Sequence, residues 1–140
     1  MLKYRDFKET DRDYVTRSFL FSFLGNSSEA KKINKDSYMV GQNKVINHLI
    51  DTSKVLIACD DQDEDLILGF MIYDNFPLAD VLHYCYLRKD FRQNGIVHLM
   101  IKQIQKSDSL AISHITDEIR PARLKKFWNK VIFDPFLTWK

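Results

Sequence analysis

The densest chemistry in this 140-residue chain lies at residues 86–100, YLRKDFRQNGIVHLM. The β-rich run VLHYCYL (81–87) leads into it. After Gly95 the spacing turns helical, with Ile96, Val97, Met100, Ile101 and Ile104 on one side and His98, Lys102 and Gln105 away from it. A chain passing from strand to helix here exposes the first helical amides, which have no partner within the helix and carry the positive end of its dipole. Gly95 has no side chain to shield them, and Arg92 adds a full charge. The spacing therefore fits an anion seat made by Arg92, the backbone at Gly95 and the first amides of the helix. An arginine and a glycine in an ordinary turn, with Gly95 in an unusual dihedral, fit the same residues.

Other reactive side chains are few. His83 titrates in the range a general base needs, and His114 sits similarly in SDSLAISHIT. Either histidine is equally explained as a hydrogen-bonded structural residue. Tyr84 and Tyr86 share the strand face opposite His83, where Tyr86 either lines a cleft or packs. No Ser-His-Asp or Cys-His order stands out, and no His/Cys/Asp spacing suggests a metal. The basic cluster Arg120, Arg123, Lys125, Lys126 and Lys130 lacks the interleaved aromatics of a base-stacking platform. It reads as a solvated helix face, so nucleic acid is not an expected partner.

These residues must be positioned by the rest of the chain. Its 45% hydrophobic and 29% charged residues suit one compact, soluble domain over residues 1–140. Lys plus Arg exceeds Asp plus Glu by 21 − 19 = 2, too small a field to demand a polyanion. Cys59 and Cys85 lie in apolar runs without a disulfide pattern, which predicts a reducing, cytoplasmic setting. The charged N-terminus has no apolar stretch fit for a signal or membrane span.

An opening strand is predicted over LKYRDF (2–7). Asp11 would cap a helix bearing Tyr14, Val15, Ser18, Phe19 and Phe23. A polar loop follows over 25–36, and Ser37 would cap a second helix with Tyr38, Val45, Ile46, Leu49 and Ile50 inward. KVLIAC (54–59) and LILGFMIY (66–73) read as a hairpin about the acidic turn DDQDED. SDSLAISHIT reads as a fifth strand, RPARLKKFWNK as a fourth helix with Pro121 in its first turn, and VIFDPFLTW as an irregular closing strand. The order β-α-α-β-β-β-α-β-α-β predicts an α/β fold, a mixed sheet with helices packed on its faces.

The segment YLRKDFRQNGIVHLM resembles the acetyl-coenzyme A signature of the GCN5-related N-acetyltransferases (GNAT), roughly V-x-P-x-[YF]-[RQ]-x-x-G-x-[GA]-x-x-L. Leu87 stands at the Val, Phe91 at the aromatic, Arg92 at the Arg/Gln, Gly95 at the first Gly and Met100 at the Leu. ARLKKFWNKVIFDPF resembles the family's C-terminal A-x-x-L-Y-E-K-x-G-F segment, with Phe127, Lys130 and Phe133 in register. Small divergent proteins of this kind resemble those encoded by phages and mobile elements.

The resemblance implies a mostly antiparallel, twisted sheet of about six strands that splays between strands four and five. It implies acetyl-coenzyme A as co-substrate, no metal, and transfer of an acetyl group to an amine acceptor, small molecule or protein. Amides of residues 93–97 would cradle the pyrophosphate, the pantetheine arm would lie in the splay, and the Leu87 amide would stabilise the oxyanion. His83 is the candidate base. The chain departs from the pattern at Val97, where the family has Gly or Ala, at Ile132 and at Trp128. Indole is no practical acid, so Trp128 is expected to pack beside Phe127. These departures also suit an alternative: a GNAT-shaped module that binds a protein partner without turnover. The irregular closing strand further suits pairing in a homodimer.

Overall fold

The computed structural model describes residues 2–92, 95–116 and 119–139. A six-stranded sheet runs in the order β1 (Leu2–Asp6), β2 (Lys54–Asp60), β3 (Ile67–Asn75), β4 (Asp80–Leu87), β5 (Ser109–Ile112) and β6 (Lys130–Phe133). Neighbours are antiparallel from β1 to β4 and parallel from β4 through β6. The helices are α1 (Arg12–Asn26), α2 (Ser28–Lys31), α3 (Lys35–Thr52), α4 (Ile96–Lys102) and α5 (Pro121–Leu124). The fold is thus the expected mixed α/β arrangement.

Register assigns the faces. Ile57, Phe70, Ile72 and Tyr84 share one side, where Phe19 of α1 stacks on Tyr84 at 3.9 Å between ring centroids. Asp80, Asn75 and Gly69 face the other, where Asn75 bonds to Ile104 O beyond α4 and Asp80 to Trp128 beyond α5. Burying both faces explains why β3 and β4 read as continuous apolar runs rather than alternating ones.

The apolar stripe of α1, with Val15, Phe19 and Phe23 buried, follows its spacing, as do Tyr38, Ile46, Leu49 and Ile50 of α3. The polar loop expected over 25–36 is instead helical through most of its length. Helix α1 runs on to Asn26, and Ser27 Oγ accepts the Ala30 amide at 3.3 Å to start α2 around a buried Ala30. Asn34, not Ser37, caps α3: its Oδ1 accepts the amides of Asp36 at 3.0 Å and Ser37 at 3.2 Å.

Asp11 likewise does not cap α1 with its side chain. Its carboxylate accepts the Lys8 amide at 2.8 Å and two guanidinium bonds from Arg5, closing the 3-10 turn Glu9–Asp11 ahead of the helix. The three late elements are shorter than predicted. Helix α5 stops at Leu124, and β6 stops before Pro135, where a 3-10 turn, Pro135–Trp139, replaces the end of the closing strand.

Candidate functional site

The chemistry expected of residues 80–97 converges where the sheet opens. Strand β4 pairs with β5 only at Asp80↔Leu110, Val81↔Ala111 and Leu82↔Ile112, and the Ser113 amide closes the ladder on Leu82 O at 3.3 Å. Beyond that point β4 keeps only β3 as neighbour. A register shift opposite Ile72 and Tyr73 leaves His83 as the extra residue of a bulge, which adds local twist as the strands part. The splay expected between strands four and five is therefore present.

Ladder alternation aims the open backbone. The Arg88 amide donates to Leu68 O at 2.8 Å, so the neighbouring Leu87, opposite Gly69, turns its N–H and C=O away from β3 and into the gap. A Cβ on Gly69 would sit 2.3 Å from Tyr86 O, so only glycine lets β3 lie this close to the free half of β4. Arg92 donates from Nε to Leu87 O at 2.5 Å and lays its guanidinium 5.6 Å from the Tyr86 ring centre. Tyr84, Cys85, Tyr86, Leu87, Val97 and Thr116 line what remains, a cavity of about 30 Å³.

Gly95 adopts φ +73°, the left-handed conformation that favours glycine, and a Cβ there would meet nothing within 4 Å. The backbone entering α4 is thus open on its outer side, and Leu99 N–H makes the helix's bond back to Gly95 O at 3.0 Å. Ile96 is half-buried. Val97 is 8% exposed and faces inward, so its methyls narrow the gap and leave the outer approach clear. Gln93 and Asn94 lie outside the described residues.

His83, only 1% exposed, is tied at both ring nitrogens. Nδ1 is 2.7 Å from Ser113 Oγ and Nε2 is 3.3 Å from Asp74 Oδ2, which also accepts the Ser53 hydroxyl at 2.7 Å. Ser113 Oγ meets His114 Nδ1 at 2.9 Å, and His114 Nε2 meets the Gln42 amide nitrogen at 3.1 Å. Sequence order alone did not suggest an Asp-His-Ser series, yet Asp74, His83 and Ser113 form one in space. The signals available were an aspartate ending the run LILGFMIYD and a polar Ser-His pair interrupting LAISHIT.

Phe19 and Phe23 stand edge-on to the His114 ring at 5.3 and 5.0 Å. Burial among them, with His83 nearby, pushes the His114 imidazole down to about 3, so it is neutral in neutral solution. Burial also raises the Tyr84 phenol, whose oxygen lies 2.6 Å from Ser22 Oγ. Tyr84 is core, while Tyr86 is half-buried at the gap.

The carboxylate at the start of β4 was also missed. Asp80, fully buried, accepts Asn75 Nδ2 at 2.7 Å, Trp128 Nε1 at 2.9 Å, and the amides of Lys106 at 2.9 Å and Ser107 at 3.0 Å. Trp128 is buried with its ring edge-on to Phe127, the packing role expected of it. The basic cluster disperses over the surface around α5, with Arg120 3.7 Å from Glu29. Among the described residues no group of three or more His, Cys, Asp or Glu could hold a metal ion, and no helix is long and apolar enough to cross a membrane.

No family model and no curated protein matches this sequence. Solved structures do match its shape. A ribosomal-protein-alanine N-acetyltransferase from Brucella melitensis aligns at 16% identity and TM-score 0.51, over 96% of this chain and 79% of that one. A possible acetyltransferase from Clostridium difficile aligns at 12% identity and TM-score 0.53, over 96% and 79%. A predicted acetyltransferase from Clostridium acetobutylicum, solved with acetyl-CoA, aligns at 16% identity and TM-score 0.54, over 91% and 88%. Other matched structures are spanned less fully, at 64% and 65% of their length. At these identities it is the architecture that is shared: the chain has the fold of the GNAT acetyltransferases.

Proposed function

We propose that residues 1–140 act as one GNAT-like domain that transfers an acetyl group from acetyl-coenzyme A to an amine acceptor by direct attack. The observation that carries this reading is the parting of β4 from β5 with the Leu87 amide aimed into the gap. A backbone donor fixed there can polarise a carbonyl without reorganising as charge develops. Acetyl-coenzyme A, as substrate, supplies the thioester carbonyl. Arg92 and the main chain of Gln93, Asn94, Gly95, Ile96 and Val97 would hold its pyrophosphate, and the open outer side of Gly95 suits that role. The gap is the tighter half of the fit. At about 30 Å³, with Arg92 bonded across it, it admits the pantetheine arm only if that side chain swings outward, where its charge meets phosphate.

Two residues have roles beyond holding. Leu87 acts through its amide, so its side chain is free to vary. His83 is buried behind the gap, and as the base it serves through neighbours rather than by touching the acceptor.

Calorimetric titration with acetyl-coenzyme A tests the reading. Binding is expected, and Arg92→Ala should weaken it about tenfold, the loss of one charge-assisted contact. No binding at millimolar concentration would overturn the transferase reading and leave the partner-binding alternative.

A further inference from the structure

The two edges of the sheet differ in character. At β1 the edge carries paired charge: Lys3 bonds to the Glu64 carboxylate at 2.8 Å, and Arg5 donates to the Glu64 carbonyl and to the Asp11 carboxylate. Charges on an edge strand keep it from pairing with another chain. At β6 the edge is apolar. Ile132 and Phe133 are each 46% exposed, and Phe136 just beyond them is 79% exposed. The strand packs on β5 and α5, and no strand pairs with its outer side. After Phe133 the chain turns off into the 3-10 turn Pro135–Trp139, which meets α3.

The unpaired backbone of β6 can be assigned. The Lys130 amide donates to Asp108 O at 3.3 Å and the Asp134 amide to Ile112 O at 2.8 Å, so residues 130, 132 and 134 turn their main chain toward β5. By alternation Val131 and Phe133 turn N–H and C=O outward. Lys130 and Ile132 share one face, where they border a cavity of about 150 Å³ with Leu78 and Ala111. Asp134, whose amide continues the ladder, follows in the same alternation.

We propose that β6 pairs antiparallel with β6 of a second copy of this chain, about a twofold axis at Ile132. In that register Val131 and Phe133 of one copy exchange N–H···O=C bonds with Phe133 and Val131 of the other, so both outward residues are satisfied. Ile132 faces its own counterpart. Lys130 faces Asp134 of the other copy on either side of that pair, in the close positions where opposite charges attract. Asp134 accepts the Phe136 amide through Oδ1 at 3.0 Å, which leaves Oδ2 for the lysine. On the reverse face Phe133 lies opposite Val131, an aromatic against a β-branched chain. The segment KVIFD is thus complementary to itself, as an isologous contact requires. Neighbouring registers lose this match. A shift one way sets Val131 against Pro135, which has no N–H, and a shift the other way sets Lys130 against Ile132. Since β6 flanks β5, the far wall of the gap, pairing at this edge braces that wall from outside.

Sedimentation equilibrium of the full chain, from micromolar to millimolar concentration, should show a reversible monomer–dimer equilibrium. Lys130→Asp and Asp134→Lys each set like charges face to face at both ends of the contact, and each should weaken the dimer about tenfold or more. Mixed in equal amounts, the two variants set opposite charges at both ends, so their heterodimer should regain most of the wild-type affinity. A folding defect cannot produce that rescue. Ile132→Lys leaves the Phe136 cap intact and keeps the test decisive should Asp134→Lys not fold. It should dissociate the dimer while the thermal midpoint of the diluted monomer holds. In amide hydrogen exchange Val131 and Phe133 should slow as concentration rises, with Ile132, bonded to β5, unchanged. A wild type that stays monomeric at millimolar concentration overturns the proposal and leaves the edge to an extended segment of another protein. A dimer that survives Ile132→Lys overturns it, as do folded charge variants that fail to associate on mixing. Val131 and Phe133 amides that exchange equally fast at every concentration overturn it as well.

Discussion

The two ends of β4 are built on opposite terms. At its start, Asp80, Val81 and Leu82 have strand neighbours on both sides, and the Asp80 carboxylate gathers donors from β3, the turn after α4 and the chain beyond α5. At its far end, Tyr84, Cys85, Tyr86 and Leu87 have a neighbour on one side only, and the backbone on the other side faces a cavity. A carboxylate with all its partners holds the strand where the sheet is closed, so the strand can stay open where a ligand would enter. Stability and chemistry are separated along a single strand.

Asp80→Ala is the most direct way to break that separation. It leaves an indole N–H, a side-chain amide and two backbone amides without their buried acceptor, a loss of about 3–5 kcal/mol. A urea midpoint series should register it as the largest effect of any change at this site, large enough to unfold a domain of ordinary stability. Asp80→Asn keeps an acceptor oxygen and should lose less. If Asp80→Ala costs under about 1 kcal/mol, the closed end is not where the strand is held.

Gly69→Ala probes the open end from its supported side. The new Cβ would sit 2.3 Å from Tyr86 O, so β3 and β4 must move apart, at about 1–3 kcal/mol. Because Leu87 is opposite Gly69, acetyl-coenzyme A affinity should fall together with stability. Asp80→Asn, by contrast, should lower stability while affinity holds. That divergence, read by calorimetry on both variants, sharpens the contrast between the two ends.

Acidification separates the ends by charge. His114 in the folded protein protonates near 3 and in the unfolded chain near 6.5, so between those values the unfolded chain binds the extra proton. Stability therefore rises with pH across this window and is lost on acidification, by about 2 kcal/mol between pH 6.5 and 5. Chemical denaturation at pH 7, 6 and 5 should show this slope in the wild type and a flatter one in His114→Phe. A wild type equally stable at pH 5 and 7 would place His114 in a wetter setting than the one described.

What was legible beforehand follows the same division. The apolar runs of β2, β3 and β4 and the inward stripes of α1 and α3 announce themselves because burial on a sheet face or helix side imposes a period on the sequence. Residues 25–36 did not, because α2 and the start of α3 lie near the surface and only Ser27 and Ala30 are buried there, too few to set a period. The gap was foreseen only through the likeness of residues 86–100 to a known signature. Asp74, His83, Ser113 and His114 come from three different parts of the chain, and no spacing along a sequence encodes their meeting. Asp80 was overlooked beside Val81, since a lone aspartate between NFPLA and an apolar run reads as turn rather than core.

Val97→Ala addresses the width of the gap. Removing two methyls from a residue that lines a cavity of about 30 Å³ should tighten acetyl-coenzyme A binding by up to about tenfold, while the lost packing lowers stability by about 1–2 kcal/mol. Affinity that falls with stability would mean that Val97 supports the seat rather than crowding it.

The smallest effect is expected at Gly95, and it separates backbone conformation from space. A side chain there would touch nothing within 4 Å, so any loss on Gly95→Ala comes from holding φ at +73°, about 1 kcal/mol for an L residue. Asparagine tolerates the left-handed region better than alanine, so Gly95→Asn should recover part of that loss in a thermal melt. In calorimetry the order should reverse. The asparagine side chain extends over the outer face by which a diphosphate would approach the main chain, and it should weaken acetyl-coenzyme A binding more than alanine does. Stability ranking Asn above Ala, with affinity ranking Ala above Asn, would mark the outer side of Gly95 as a binding surface. The same ranking in both measurements would reduce Gly95 to a turn glycine.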